Sequence, residues 1–308
     1  MFFLEEERIM IRHKKLGYVV LNVTNLDNSV DFYENIVGLQ VVELKNTIAF
    51  LRCSSDHHNL ILEQAGEAGL KRVAYELEKE DQFQGVFDYL TEKGLNPIEL
   101  SAEETQSLAQ GRTLRFKDPH MGVTYEYYVD MKQMDSPFVP KKAKITRFLH
   151  VVYETNKYEE MLDFFTNTLN FRVSDTSSDN KESSWAWLRA FPSPYHHDMA
   201  ITKGAENKLN HLAYQAERVD DIGIQVNKLK NANVPILFGP GRHRPSSSVF
   251  LYFADPDRIT LEYSQGMEEF PEEGARQPRE LEPTPETIDE WGGTPEPDFG
   301  KFGKLITD

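Results

Sequence analysis

The chain has 308 residues, 39% of them hydrophobic and 27% charged, which suits a globular protein with one or two ordinary cores. A net charge of −16 argues against a nucleic-acid partner, since that would need clustered Lys and Arg. No apolar run is long enough to cross a bilayer, and MFFLEEERIMIRHKK mixes acids and bases where a secretion signal would be apolar, so a cytoplasmic protein with no membrane partner is expected. With Cys53 as its single cysteine, the chain has no internal disulfide or thiolate cluster, and any metal must be held by His and carboxylate.

Residues 1–12 read as an N-terminal extension, and 13–137 as a first module. In it Val19 to Val23 alternates as a half-buried strand, and Ser29 to Val37 places apolar residues at helical spacing. Leu39 to Cys53 holds two further short β-rich runs. SSDHHN, carrying His57 and His58, reads as a solvated polar turn. After KQMDSPFVPKKAK the pattern begins again. LGYVVLNVTNLDNSVDFYENIVGLQVVE from Leu16 aligns without a gap with FLHVVYETNKYEEMLDFFTNTLNFRVSD from Phe148. KRVAYELE from Lys71 then matches NHLAYQAE from Asn210, and DPHMGVTYEYY from Asp118 matches DPDRITLEYS from Asp255.

The second module, 145–268, is predicted as a strand at Leu149 to Tyr153, a helix at Lys157 to Leu169, and strands near Phe171, Trp185 and Asp198. A strand at His211 to Gln215, a helix at Asp220 to Ala232 and strands near Phe250 and Thr260 follow. The glycines of GPGRHRP lack the strand-to-helix context of a phosphate loop and are expected to shape a loop over the site. The fold class is α+β: two tandem modules of paired βαβββ units, whose curved sheets can close around a cavity. Residues 269–308, rich in Pro and Glu, read as an extended surface tail in which the lone Trp291 has reason to bury.

Five of the nine histidines, His150, His196, His197, His211 and His243, fall in the second module. Alternation places Phe148, His150 and Val152 on one face of their strand and Leu149 and Val151 on the other. His211 opens a later strand, and Glu262 lies in the last one. In a closed sheet the three can converge on a metal and leave its other face open. Two neutral imidazoles and one carboxylate suit iron(II) or manganese(II), and open positions are what an oxygenase needs. The first module has Tyr18, Arg72 and Glu126 at the same places, so the histidines are not general packing devices of the repeat.

With this triad and the stretch GPGRHRPSSSVFLYFADPDRITLEYS, the chain resembles type I extradiol catechol dioxygenases of the vicinal oxygen chelate superfamily over Gly17 to Met267. It resembles in particular the homoprotocatechuate and catechol 2,3-dioxygenase branches. The resemblance implies Fe(II), with Mn(II) compatible, at His150, His211 and Glu262. It also implies a catecholic substrate, O2, a ring-opened hydroxymuconic semialdehyde-type product and a homo-oligomer. His197, fourteen residues before His211, takes the place of the family's acid/base histidine, while His243 and Tyr252 fall where groups bond the diol. Trp187 and Phe250, with Trp185 and Tyr195, are candidates to line the ring pocket. His196 is expected to point away into surface or loop. Alignment on Trp291-Gly292 puts Ile288 where a carboxylate-binding arginine would stand, so a neutral or alkyl-substituted catechol, or a fused or two-ring diol, is at least as well expected as an acidic one. Two other readings stay open, a glyoxalase-type metal-dependent isomerase or lyase and a metal-free module that binds aromatic ligands.

Overall fold

A computed structural model describes residues 11–141, 143–178 and 184–307; the predicted N-terminal extension lies, up to residue 10, outside them. The first module runs β1 (His13–Val23), α1 (Leu26–Phe32), β2 (Gln40–Lys45), β3 (Ile48–Arg52), β4 (Leu60–Gln64), then β5 (Gly69–Leu77), α2 (Phe83–Glu92), β6 (Ile98–Glu99), α3 (Ala102–Ser107), β7 (Thr113–Lys117) and β8 (Thr124–Tyr128). The second runs β9 (Ile145–Thr155), α4 (Tyr158–Asp163), β10 (Phe171–Ser178), β11 (Ser184–Ala190), β12 (Met199–Lys203), then β13 (Lys208–Ala216), α5 (Val219–Asn231), β14 (Ile236–Arg242), β15 (Val249–Ala254) and β16 (Thr260–Gln265). The tail adds β17 (Arg279–Leu281) and α6 (Pro285–Ile288). This is the expected α+β pair of βαβββ modules.

The repeat extends to the hydrogen-bond ladder. The first sheet has the order β2-β3-β4-β1-β5-β8-β7-β6, and the second gives the matching order β10-β11-β12-β9-β13-β16-β15-β14, with β17 added at the β10 edge. Both first helices end in a π-helical turn, Tyr33–Val37 and Phe164–Thr168. The helical faces of the two sheets share one core, in which Leu16, Val19, Leu21 and Tyr75 belong with Phe148, Val151, Tyr153 and Tyr263. The Tyr263 hydroxyl donates to the Val37 carbonyl across the modules. The opposite, concave faces form two separate clefts.

Two β-bulges decide which side chains reach the second cleft. In the β9–β13 ladder Phe148 pairs with Tyr214 and His150 with Ala213, so Leu149 is skipped; Asn210 is skipped likewise between Leu209 and His211. A bulge reverses the alternation locally and re-aims the residue beside it. Phe148 therefore joins the shared core with Val151 and Tyr153, not the face of His150 as strict alternation predicted. The first module has the same shifts at Gly17 and Lys71. GPGRHRP departs from its expected loop as well: β14 continues through Gly239, Pro240 and Gly241. A Cβ on Gly241 would stand 2.3 Å from the Phe250 ring, so glycine there lets the strand pass over that ring.

His13 gives the module interface a pH dependence. It is fully buried, donating from Nδ1 to the Phe191 carbonyl and accepting the Tyr127 hydroxyl at Nε2, both at 3.2 Å. Burial pushes its imidazole down to about 4 from an ordinary 6.5, against the opposing carbonyl contact. The unfolded chain therefore binds this proton first as pH falls. Stability is fully present above pH 6.5 and declines towards pH 4, by at most about 3 kcal/mol. Urea midpoints of the wild type and His13→Gln, measured at pH 7.5 and 5.0, are expected to show a smaller drop in the variant.

Candidate metal centre

β16, β13 and β9 lie side by side, with Glu262 opposite Ala213 and Ala213 opposite His150. Adjacent strands are about 4.8 Å apart, so the carboxylate and the imidazole can meet only across the small Ala213 methyl. His211 enters the same space because the Asn210 bulge turns it inward. His150 Nε2 stands 2.8 Å from Glu262 Oε2 and 3.2 Å from His211 Nε2, and His211 Nε2 is 3.2 Å from the same Glu262 oxygen. All three residues are buried. Donors bound at right angles to one ion, each about 2.1 Å from it, stand roughly 3 Å apart, so the set fits a facial two-histidine, one-carboxylate site.

The protonation states suit a cation. Burial would raise the Glu262 pKa, but the two imidazoles outweigh it and hold the carboxyl well below its usual range; burial pushes His150 down. His150 Nδ1 and Glu262 Oε1 are buried without a hydrogen-bond partner. His211 Nδ1 meets the Asn210 side-chain oxygen at 2.8 Å, a contact that leaves Nε2 as the free donor towards the ion.

His197, His243 and Tyr252 border the same pocket. The His197 ring lies over that of His150 with centroids 4.2 Å apart, and burial followed by the surrounding imidazoles holds it neutral. The Ile288 carbonyl, 2.6 Å from His243 Nδ1, can only accept, so Nδ1 carries the proton. His243 Nε2 is then free to accept the Tyr252 hydroxyl at 2.9 Å. Burial, then the Glu262 charge, raises the Tyr252 pKa well above 10 and keeps its proton in place.

The apolar wall corrects several expectations. Trp187 and Trp185 line the pocket as a stacked pair, with centroids 5.8 Å apart. Phe250 does not line it; fully buried, it stacks behind His243 at 4.0 Å and holds that ring in place. Tyr195 lies under the Arg147 guanidinium instead of in the pocket. The tail is extended, yet Ile288 and Phe299 form part of the pocket wall, while Thr287 and Asp289 are buried. Asp289 accepts backbone N–H groups from Arg242 and Gly293, an anchor that polar composition concealed. Trp291 is 54% exposed under the Arg242 guanidinium, contrary to its expected burial. Val152, Phe238 and Phe299 were not foreseen; Phe299 had no signal beyond being an aromatic residue in an acidic segment.

His57 and His58 are also buried, not solvated. They take the ladder positions of His196 and His197, since Leu60 pairs with Leu51 as Met199 pairs with Leu188. Around them the first module keeps the carboxylate and replaces the cation: Glu126 receives the Tyr18 hydroxyl and an ion pair from Arg115, with Arg72 Nε 3.4 Å away. The guanidinium groups supply the positive charge there. Among the described residues one further cluster, Asp175, His196 and Glu268, has metal-like spacing, but Arg276 and Arg279 already neutralise it.

The fold and site define a metalloprotein built from two paired βαβββ modules, one of which carries the donors. Residues 15–127 and 147–263 each match the family model described as Glyoxalase/Bleomycin resistance protein/Dioxygenase superfamily, and the chain belongs to that superfamily. It is similar to the manganese-dependent 2,3-dihydroxybiphenyl 1,2-dioxygenase of Geobacillus genomosp. 3, 28% identical over 79% of this chain and 81% of the relative. Among solved structures it resembles the Mn(II)-bound glyoxalase of Novosphingobium aromaticivorans, at 26% identity, TM-score 0.83 and 94% coverage of both chains. It also shares the fold of homoprotocatechuate 2,3-dioxygenase from Brevibacterium fuscum, at TM-score 0.86 and 23% identity, covering 96% of this chain and 94% of that one.

Proposed function

We propose that the chain is an extradiol dioxygenase that incorporates both atoms of O2 into a neutral catechol, giving a ring-opened hydroxymuconic semialdehyde-type product. The observation that carries this reading is the placement of His197, His243 and Tyr252 around the one pocket into which the His150, His211 and Glu262 donors open. Iron(II) or manganese(II) held by His150, His211 and Glu262 would supply Lewis acidity towards the diol and activate O2.

The protein's own groups handle protons and orientation. His197, neutral and beside the metal ligands, accepts a proton from a catechol hydroxyl and returns it later. Tyr252, whose proton goes to His243 Nε2, presents its oxygen lone pairs to a diol hydroxyl, and His243, fixed by the Ile288 carbonyl, orients it. Trp185, Trp187 and Phe299 exclude water and offer faces and edges to an aromatic ring. The Geobacillus relative's name specifies a two-ring diol, and the apolar wall here suits the same class. A glyoxalase-type reaction draws ligands from both halves of a metal site, whereas here Tyr18 and Arg72 hold those places in the first module and offer no imidazole. A homo-oligomer working in the cytoplasm belongs to the same reading, and sedimentation of the metal-loaded protein tests the subunit number.

Protein loaded anaerobically with iron(II) or manganese(II) is expected to consume one O2 per catechol and to form a yellow product. Full metal occupancy without O2 uptake across single-ring and two-ring catechols would reject the reading. Substrate choice is tested at Ile288, which is part of the wall and brings no charge. Ile288→Arg is expected to shift kcat/KM towards a carboxylated catechol by about 10- to 100-fold, the worth of one charge-assisted hydrogen bond. Unchanged ratios would place the substrate's substituent elsewhere.

A further inference from the structure

A chain of polar contacts runs from the pocket to the tail. His197 Nδ1 lies 3.0 Å from His196 Nδ1, and His196 Nε2 lies 2.8 Å from Asp175 Oδ2. Asp175 is fully buried on β10. Arg276 donates to its two oxygens at 2.9 and 3.0 Å; Arg279 donates through Nε at 3.1 Å, its terminal nitrogen at 2.6 Å and its backbone N–H at 2.8 Å. Burial alone would raise the Asp175 pKa, but the bonds from His196, Arg279 and Arg276 outweigh it, so the group is an ionised carboxylate that can only accept.

The proton positions follow in order. His196 Nε2 must donate to Asp175. The two guanidinium groups balance Asp175 and Glu268, which leaves no net negative charge to favour an imidazolium, and burial pushes His196 further towards neutrality. A neutral His196 protonated at Nε2 has a lone pair at Nδ1. His197 must then donate from its own Nδ1, which leaves the lone pair on its Nε2. Without His196 as acceptor, either nitrogen of a neutral His197 could carry the proton.

We propose that Asp175 and His196 are positioning residues that fix the tautomer of His197, keeping its Nε2 unprotonated as a ready base, and that Arg276 and Arg279 of the tail hold this setting. The inference rests on the reading of His197 as the pocket's acid/base. The first module supplies a contrast. His57 and His58 keep the Nδ1 contact at 3.2 Å, and Glu43 pairs with Phe50 as Asp175 pairs with Trp187. Glu43 is partly exposed and bridges to Lys45, with neither tail arginine on it. Among the described residues the clamp is present only in the module that carries the metal donors.

The test reads the tautomer without requiring turnover. In 15N-labelled, zinc-substituted full-length protein, long-range 1H–15N correlations are expected to show His197 protonated at Nδ1 and bare at Nε2. His196→Phe leaves the Asp175 clamp satisfied and should fold; it is expected to scramble the tautomer and, in the iron- or manganese-loaded enzyme, to lower kcat about 10- to 100-fold, as loss of other outer-shell partners does. KM and metal content should change less than about twofold, and His196→Gln, whose side-chain oxygen can accept from Nδ1, should recover part of kcat. Arg276→Gln/Arg279→Gln tests the clamp in the same way. Native His197 protonated at Nε2, or a His196→Phe variant with native tautomer or native kcat, would overturn the proposal. Because the spectra need no substrate, absence of ring cleavage would reject the catalytic reading separately and leave the tautomer assignment standing.

Discussion

His150→Ala is expected to yield a folded protein that holds no metal and opens no ring. The ion would be left with His211 and Glu262, whose donor atoms are 3.2 Å apart, and with nothing on the third side. Loss of an outer-shell partner weakens metal binding by about 10- to 100-fold, and a lost direct ligand should cost well beyond that, roughly a thousandfold. The fold should survive. Its first module is the natural control, holding the same ladder position with Tyr18 and no imidazole. Metal content after gel filtration, far-UV circular dichroism and O2 uptake check the three parts of the prediction. A variant with one ion per chain and native turnover would remove His150 from the site.

The triad was legible because the repeat supplied an internal comparison. Tyr18 and Arg72 opposite His150 and His211 separated chemistry from packing, and the ladder bears out the pairing of positions. Local backbone irregularity was not legible. Phe148 followed strict alternation in the sequence, and only the bulge at Leu149 shows why it belongs to the other face. Phe250 looked like a pocket aromatic because strand position alone cannot tell a lining ring from one stacked behind a lining ring. The paired histidines were misjudged for a related reason: polar neighbours in SSDHHN suggested solvent, while the β3–β4 connection folds both rings inward. The tail concealed most. Ile288 and Phe299 reach the pocket, and Arg276 and Arg279 reach Asp175, over sequence separations that composition cannot reveal.

His197→Ala is expected to separate binding from chemistry. His197 donates no atom to the His150, His211 and Glu262 set, so the variant should keep its metal and bind catechol with little change in KM. Its kcat should fall by about 10²- to 10⁴-fold, the range a positioned general acid/base supplies. The missing ring leaves a hollow over His150, where the two centroids now lie 4.2 Å apart, beside a His196 still held by Asp175. Added imidazole can occupy that hollow and take the Nδ1 contact, so it should restore part of the turnover in His197→Ala and none in His150→Ala, where the ion is gone. Product analysis belongs with the rate measurement, because a proton that is not returned at the right stage can change what is released as well as how fast. Native kcat in His197→Ala, with metal bound and the product unchanged, would show that the substrate's proton leaves by another route, and Tyr252, bonded to His243, would then be the next group to replace.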